Sequence, residues 1–234
     1  MRLGYSTGAV AFGDFRLGLE RLRPFQLEAV ELSALRESEL RPLANAMGTL
    51  DLGGYSYIAF HAPSRFAPEQ EPAIAEAVQS LSDRCDAAIV HPDAMHNGRL
   101  WKSLGDLLCF ENMDKRNRIG RTADELATLF AAFPDAHLCF DLGHAWQMDH
   151  TMTEALQILR RFRDRIRQLH VSEVNTKSEH VPLTLTTVTA FRRLLDLLPD
   201  VPWILEAVTA PDKIGDEIQY VRESFTATMN FVAD

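Results

Sequence analysis

Leu108-Cys109-Phe110-Glu111 is echoed thirty residues on by Leu138-Cys139-Phe140-Asp141. Each run is short and apolar and ends in a carboxylate, and the interval leaves room for one helix. Thr122 with Glu125 spells a capping box there, Leu126, Leu129, Phe130 and Phe133 follow at helical spacing, and Pro134 stops the pattern. Strand, helix and strand in that order predict two parallel strands joined by a crossover.

The unit recurs in both directions. Apolar runs at 2–6, 29–33, 57–62, 87–91, 107–112, 137–142, 167–171 and 202–207 make eight expected strands. Helical stripes lie between and after them: Ala155, Ile158, Leu159 and Phe162; then Phe191, Leu194, Leu195 and Leu198 before Pro199; then Ile218, Val221 and Phe225. The first Gly-rich segment, Gly4-Tyr5-Ser6-Thr7-Gly8, spells neither a dinucleotide fingerprint nor a P-loop. An α/β fold of the (β/α)8 TIM-barrel kind is expected, rather than an open doubly wound sheet. No linker, charge block or shift in composition divides the chain, so one domain over residues 1–234 is expected.

Alternation along a strand sorts the side chains between barrel interior and outer helices. Cys109 falls below Glu111 and Cys139 below Asp141, on the interior face, while Phe110, Phe140 and Trp203 point outward. By the same count Ala59, Ile89, Gln168 and Ile204 lie below His61, His91, His170 and Glu206.

Seven residues of metal-binding type close these runs: Glu31, His61, His91, Glu111, Asp141, His170 and Glu206, at steps of 30, 30, 20, 30, 29 and 36 residues. Parallel strands of one barrel bring such ends to one mouth. Carboxylates gathered there repel one another unless protons or a cation neutralise them, so a divalent metal is expected. His144, in Asp141-Leu142-Gly143-His144, and His180, ten residues after His170, fall in loops at the same end. His96, His137 and His150 have no convergent partner.

With 46% hydrophobic residues the chain can fill a sizeable core, and a net charge of −9 disfavours a surface that wraps nucleic acid. Cys85, Cys109 and Cys139 form no CxxC pair and leave one thiol over, which predicts reduced cysteines and a cytoplasmic protein. No run is long and apolar enough for a membrane span.

Phe60-His61-Ala62, Val90-His91-Pro92, Phe110-Glu111-Asn112, Phe140-Asp141-Leu142-Gly143-His144-Ala145, Leu169-His170-Val171 and Leu205-Glu206 together resemble the xylose isomerase-like TIM-barrel superfamily, over roughly residues 28–207. That superfamily holds sugar-phosphate isomerases and epimerases and also the endonuclease IV-like AP endonucleases (AP endonuclease family 2). In its isomerase branch the resemblance implies one divalent metal on Glu111, Asp141, His170 and Glu206. Glu111 and Glu206 would exchange protons with the substrate through an enediolate, and His144 would polarise a substrate oxygen. The endonuclease branch implies up to three zinc ions and adds His61, His91, His144 and His180 as ligands, but its Asp-x-His reads Ser178-Glu179-His180 here, with Glu179 the nearest substitute. The donor set suits manganese, cobalt, zinc or iron better than magnesium.

The expected partner is a small sugar-like or sugar-phosphate-like hydroxycarbonyl compound; nucleic acid is less favoured, no membrane is expected and the oligomeric state is open. Glu31, Asn112, Trp146, Arg118 and Arg121 are the expected substrate-binding residues, the two arginines belonging to the basic loop Lys115, Arg116, Arg118 and Arg121. Trp101 is a further candidate to cover a sugar ring, and Glu173 to orient a ligand. Alternatives of other classes are a zinc phosphodiesterase acting on abasic DNA, an oxygen-using di-iron enzyme and a non-catalytic binding subunit.

Overall fold

The computed structural model describes residues 1–226; the last eight residues of the expected domain lie outside the described residues. The barrel strands are β1 (Leu3–Ser6), β2 (Ala29–Ser33), β3 (Tyr57–His61), β4 (Ala87–Val90), β5 (Leu108–Glu111), β6 (His137–Asp141) and β7 (Ile166–Val171). A short hairpin follows, β8 (Glu173–Val174) with β9 (His180–Val181), before the last barrel strand, β10 (Trp203–Leu205). The barrel strands pair in parallel and close in the order β1-β10-β7-β6-β5-β4-β3-β2. All eight expected strands are present, with ends shifted by one or two residues.

Nine α-helices occur among the described residues: α1 (Thr7–Ala11), α2 (Phe15–Leu22), α3 (Glu37–Ala46), α4 (Glu71–Gln79), α5 (Ala123–Ala132), α6 (Leu142–Met148), α7 (Thr153–Phe162), α8 (Leu185–Arg192) and α9 (Ile214–Thr226). At the start of α5 the Thr122 side chain accepts the amide of Glu125 as expected. The reciprocal half of the capping box is missing, because Glu125 turns to the amide and guanidinium of Arg121. Helix α8 stops at Arg192, so Leu195 and Leu198 pack from a 3-10 turn rather than from a continued helix.

Two apolar bodies are separated by the strand wall. Inside the barrel lie Ala29, Tyr57, Ala59, Ala87, Ile89, Cys109, Cys139 and Ile204. Outside, Phe110 packs against Phe130 and Phe133, and Trp203 against Phe225, within the larger helix-to-sheet core. Parity along each strand thus places the barrel filling and the side chains above it as expected. All three cysteines are free, and burial pushes the Cys109 and Cys139 thiols up, away from ionisation.

Gly143 ties α6 to the end of β7. A Cβ there would stand 2.6 Å from the Ser172 carbonyl oxygen and 2.8 Å from a Val174 methyl. Alanine normally gains up to about 1 kcal/mol over glycine in a helix, but overpacking against backbone costs about 1–3 kcal/mol. Gly143→Ala is therefore expected to lower the melting temperature, by roughly 2–8 °C, and to displace His144. An unchanged melting curve would show that the approach is looser than described.

Candidate metal centre

Glu111 is the hub of the barrel mouth. Its Oε2 lies 3.2 Å from His61 Nε2 and 3.1 Å from His91 Nε2. Its Oε1 lies 3.2 Å from His144 Nδ1 and 3.3 Å from His170 Nδ1. Three groups of donor atoms result, each with its atoms within 4.8 Å of one another: His61, His91 and Glu111; Glu111, Asp141, His170 and Glu206; and Asp141, His144 and His180. Glu111 and Asp141 each belong to two groups.

The neighbours of these residues fix which imidazole nitrogen is available. His61 Nδ1 donates to the Ala62 carbonyl at 2.8 Å, leaving Nε2 towards Glu111. His144 Nδ1 donates to the Asn112 carbonyl at 2.9 Å, which leaves Nε2 as its basic atom. His170 Nε2 meets the Glu31 carboxylate at 2.8 Å, so Nδ1 faces Glu111, Asp141 and Glu206. His180 Nδ1 bonds the Ser172 hydroxyl. Outer partners of this kind orient histidine ligands and raise their basicity.

Burial opposes charge on all these groups, so their pKa values record what overrides it. Despite burial, the bond to Glu111 and the surrounding carboxylates carry His61 up to about 9, and Asp141 and Glu111 carry His144 up to about 10. Burial, with repulsion from Glu111 and Glu206, lifts Asp141 to about 8. His170 holds Glu206 down to about 2 against the same burial, whereas burial prevails at His180 and takes it down to about 4. At neutral pH the cluster thus holds protons on His61, His144 and His170, and burial raises the cost of a charge on Asp141 beside them.

A cation would take over that neutralising role, and the donors suit one. Asp141 Oδ2 and Glu206 Oε2 are buried with no well-aligned hydrogen bond among the described residues, and lie 3.8 and 3.0 Å from His170 Nδ1 in the donor group they share. Five imidazole nitrogens and shared carboxylates fit divalent first-row metals. Because ligands must shed their protons, binding is expected to release protons and tighten as pH rises from neutrality. Zinc titrated into chelator-treated protein in weak buffer should acidify the solution; no acidification would exclude loading at the imidazoles.

The cavity above the cluster has a volume of about 300 Å³. Its floor carries His61, His91, Glu111, His144, His180 and Glu206. Phe12, Leu35 and Val208 are exposed apolar residues of its lining, which also includes Arg65, Arg116 and Asn117. Phe12 is 63% exposed and holds φ at +53°, a strained backbone for a non-glycine residue at a cavity mouth.

The profile of the xylose isomerase-like TIM-barrel family matches residues 33–224. The chain belongs to that family. Among curated proteins none matches the sequence. Solved structures of this fold include an L-ribulose 3-epimerase, 13% identical, with a TM-score of 0.60 over 93% of this chain and 86% of that one. A 3-keto-D-glucoside 4-epimerase from E. coli is 12% identical, with a TM-score of 0.61 over 98% and 99% of the two chains. A xylose isomerase-like TIM-barrel protein from Mycobacterium smegmatis, in complex with magnesium, is 12% identical, with a TM-score of 0.59 over 91% and 88%. At these identities the likeness is one of fold.

Within this xylose isomerase-like barrel, every residue expected as a ligand falls in one of the three groups. The residues expected to bind substrate do not line the cavity. Glu31 is fully buried beneath the cluster, bonded to His170 and to Gln168, which in turn accepts the Tyr57 hydroxyl. Asn112 uses its side chain as a strand would, donating to the Asp141 carbonyl and accepting the Asp141 amide, and so extends the β5–β6 ladder. Trp146 packs on His150 outside the mouth. Arg121 is held by Glu125, and Arg118 also stands away from the cavity. Trp101 is buried with its indole nitrogen on Glu71, where it anchors a loop. Glu173 takes the Thr184 amide and Thr187 hydroxyl at the start of α8. Glu179 is occupied by Asn175 and joins no donor group.

Sequence reading missed Phe12, Arg65 and Asp114, and chose Arg118 and Arg121 over their neighbour Arg116. Nothing in the local pattern separates these from ordinary loop residues. The role of Glu31 follows from geometry. Removing its charge in Glu31→Gln is expected to weaken metal binding about 10–100-fold, read by competition with a chelating dye. Wild-type affinity would show that His170 needs no carboxylate behind it.

Proposed function

We propose that the protein is a metal-dependent isomerase or epimerase acting on a small sugar-like or sugar-phosphate-like hydroxycarbonyl substrate. The observation that carries this reading is that Glu111 and Glu206, the two carboxylates that could exchange protons, both line a small cavity while sharing one donor group with Asp141 and His170. Sugar epimerases of the same fold support it. Glu111, Asp141, His170 and Glu206 would hold the divalent cation, which when bound supplies Lewis-acid polarisation of the substrate carbonyl.

The rest is work for the chain's own side chains. Glu206, kept ionised at neutral pH by His170, accepts the proton from the carbon beside the carbonyl. That electron pair forms the carbon–carbon double bond of an enediolate, and the carbonyl oxygen takes the charge. His144 stands on the cavity floor to hydrogen-bond that oxygen. Return of the proton from Glu206 to the neighbouring carbon, with the hydroxyl proton passing to the former carbonyl oxygen, completes an isomerisation. Epimerisation requires instead that Glu111, which His170 and His91 hold ionised, first take up a proton and deliver it to the opposite face.

A second reading has an observation of its own. His61 and His91 gather at Glu111 Oε2, and His144 and His180 gather at Asp141, which would suit the several zinc ions of a phosphodiesterase acting on abasic DNA. Against it, Ser178 replaces the expected aspartate and Glu179 is tied to Asn175. The deciding experiment incubates metal-loaded protein in D2O with a panel of ketoses, ketose phosphates and aldoses, and in parallel with an abasic duplex. Deuterium entering the sugar beside its carbonyl supports the isomerase. A DNA nick that disappears with Glu111→Gln overturns it.

A further inference from the structure

We infer that Arg116 and Arg65 form a subsite for an anionic group, phosphate or carboxylate, carried by the substrate. This rests on the small-molecule reading above. Both arginines line the cavity and are the only Lys or Arg residues among the described residues that do so.

Arg116 is held in place from beneath. Asp114 is fully buried, and it accepts the Arg116 backbone amide at 2.9 Å through Oδ1 and the Arg116 Nε at 2.9 Å through Oδ2. That grip uses one edge of the guanidinium. Its terminal nitrogens have no acceptor among the described residues, and they belong to a side chain on the cavity rim. The two bonds from Arg116 compensate the burial of Asp114 and fix the direction of the free edge. A planar guanidinium presented edge-on suits the forked oxygens of phosphate or carboxylate.

Arg65, in the loop after β3, reaches the same cavity and forms no ion pair among the described residues. The cavity also explains why a cationic rim is needed. Its floor carboxylates, Glu111 and Glu206, are committed to the histidines and the cation and offer an anion no donor, and the protein carries a formal charge of −9. Phe12, Leu35 and Val208 offer no donor side chain. Arg65 and Arg116 are therefore the permanently charged donors of the cavity lining that an anionic end of a substrate would meet.

The test uses inorganic phosphate and acetate as separate probes, titrated calorimetrically into the metal-loaded full chain and into chelator-treated protein. Loss of one charge-assisted contact predicts about tenfold weaker binding of the preferred probe in Arg116→Gln and in Arg65→Gln. Metal content and melting temperature should stay at wild-type values in both. Asp114→Asn and Arg116→Lys should give intermediate losses, the first by releasing the guanidinium and the second by removing its fork. Tighter binding of phosphate than acetate assigns the subsite to phosphate, and the reverse order to carboxylate. Wild-type affinity in both arginine-to-glutamine variants overturns the subsite, as does binding that depends on the metal alone. If the arginines bind the probe but no sugar exchanges its proton, the isomerase reading fails and the subsite stands. If unphosphorylated ketoses exchange while neither probe responds to the arginines, the subsite fails and the isomerase stands.

Discussion

Glu206→Gln is expected to lower turnover by about a thousandfold while substrate still binds. A positioned general base contributes typically about 10²–10⁴ in rate. Glu206 is suited to that role: it directly follows β10, lines the cavity and is held ionised by His170. The amide keeps an oxygen and nearly the same shape, but Glu206 also belongs to the donor group that would hold the cation, so the comparison is made at saturating metal with metal content read alongside. The measurement is deuterium uptake from D2O into bound sugar, with binding followed separately by calorimetry. Wild-type exchange in the variant would exclude proton transfer by this carboxylate. Loss of binding and exchange together would assign Glu206 to holding the site together instead.

Glu111→Gln is expected to have the broadest effect on metal loading. Its two oxygens serve different donor groups, Oε2 with His61 and His91, Oε1 with His144 and His170. Losing an outer partner of a ligand costs about 10–100-fold in affinity, so losing a carboxylate shared by two groups should cost more than about a hundredfold. Elemental analysis of protein purified without chelator, with dye competition, reads the result. If metal content falls by one whole ion per chain and the remainder binds normally, Glu111 serves one group only. If nothing changes, the cation reading of the cluster is wrong.

The strands were legible because each has a short β-run closed by a polar residue, and alternation needs no knowledge of neighbours. Cys109 and Cys139 inside the barrel, with Phe110 and Phe140 outside it, follow from parity alone. The convergence of Glu111, Asp141, His170 and Glu206 was legible for the same reason, since parallel strands of one barrel end at one mouth. Side chains whose direction is set by a partner were not. Asn112 continues a ladder, Trp101 anchors a loop on Glu71 and Arg121 closes on Glu125, although each sits in a sequence context that suggested contact with substrate.

Glu31 marks the boundary between the two kinds of information. Its place on β2 and its inward parity are properties of the local chain, and they put it among the acids facing the barrel interior. It is, however, the third residue of a five-residue strand, with Ser33 rather than Glu31 level with His61. Its service behind His170, 139 residues away, depends on how far it sinks below the rim and on Gln168 reaching it. The linear order of residues by itself determined an eight-stranded parallel barrel and the acids and imidazoles at one end, because periodicity is a short-range property of the backbone. Only the tertiary structure decided which of them meet, which nitrogen each imidazole presents and which arginine faces the cavity, because those outcomes depend on distances between strands and loops that no local pattern encodes.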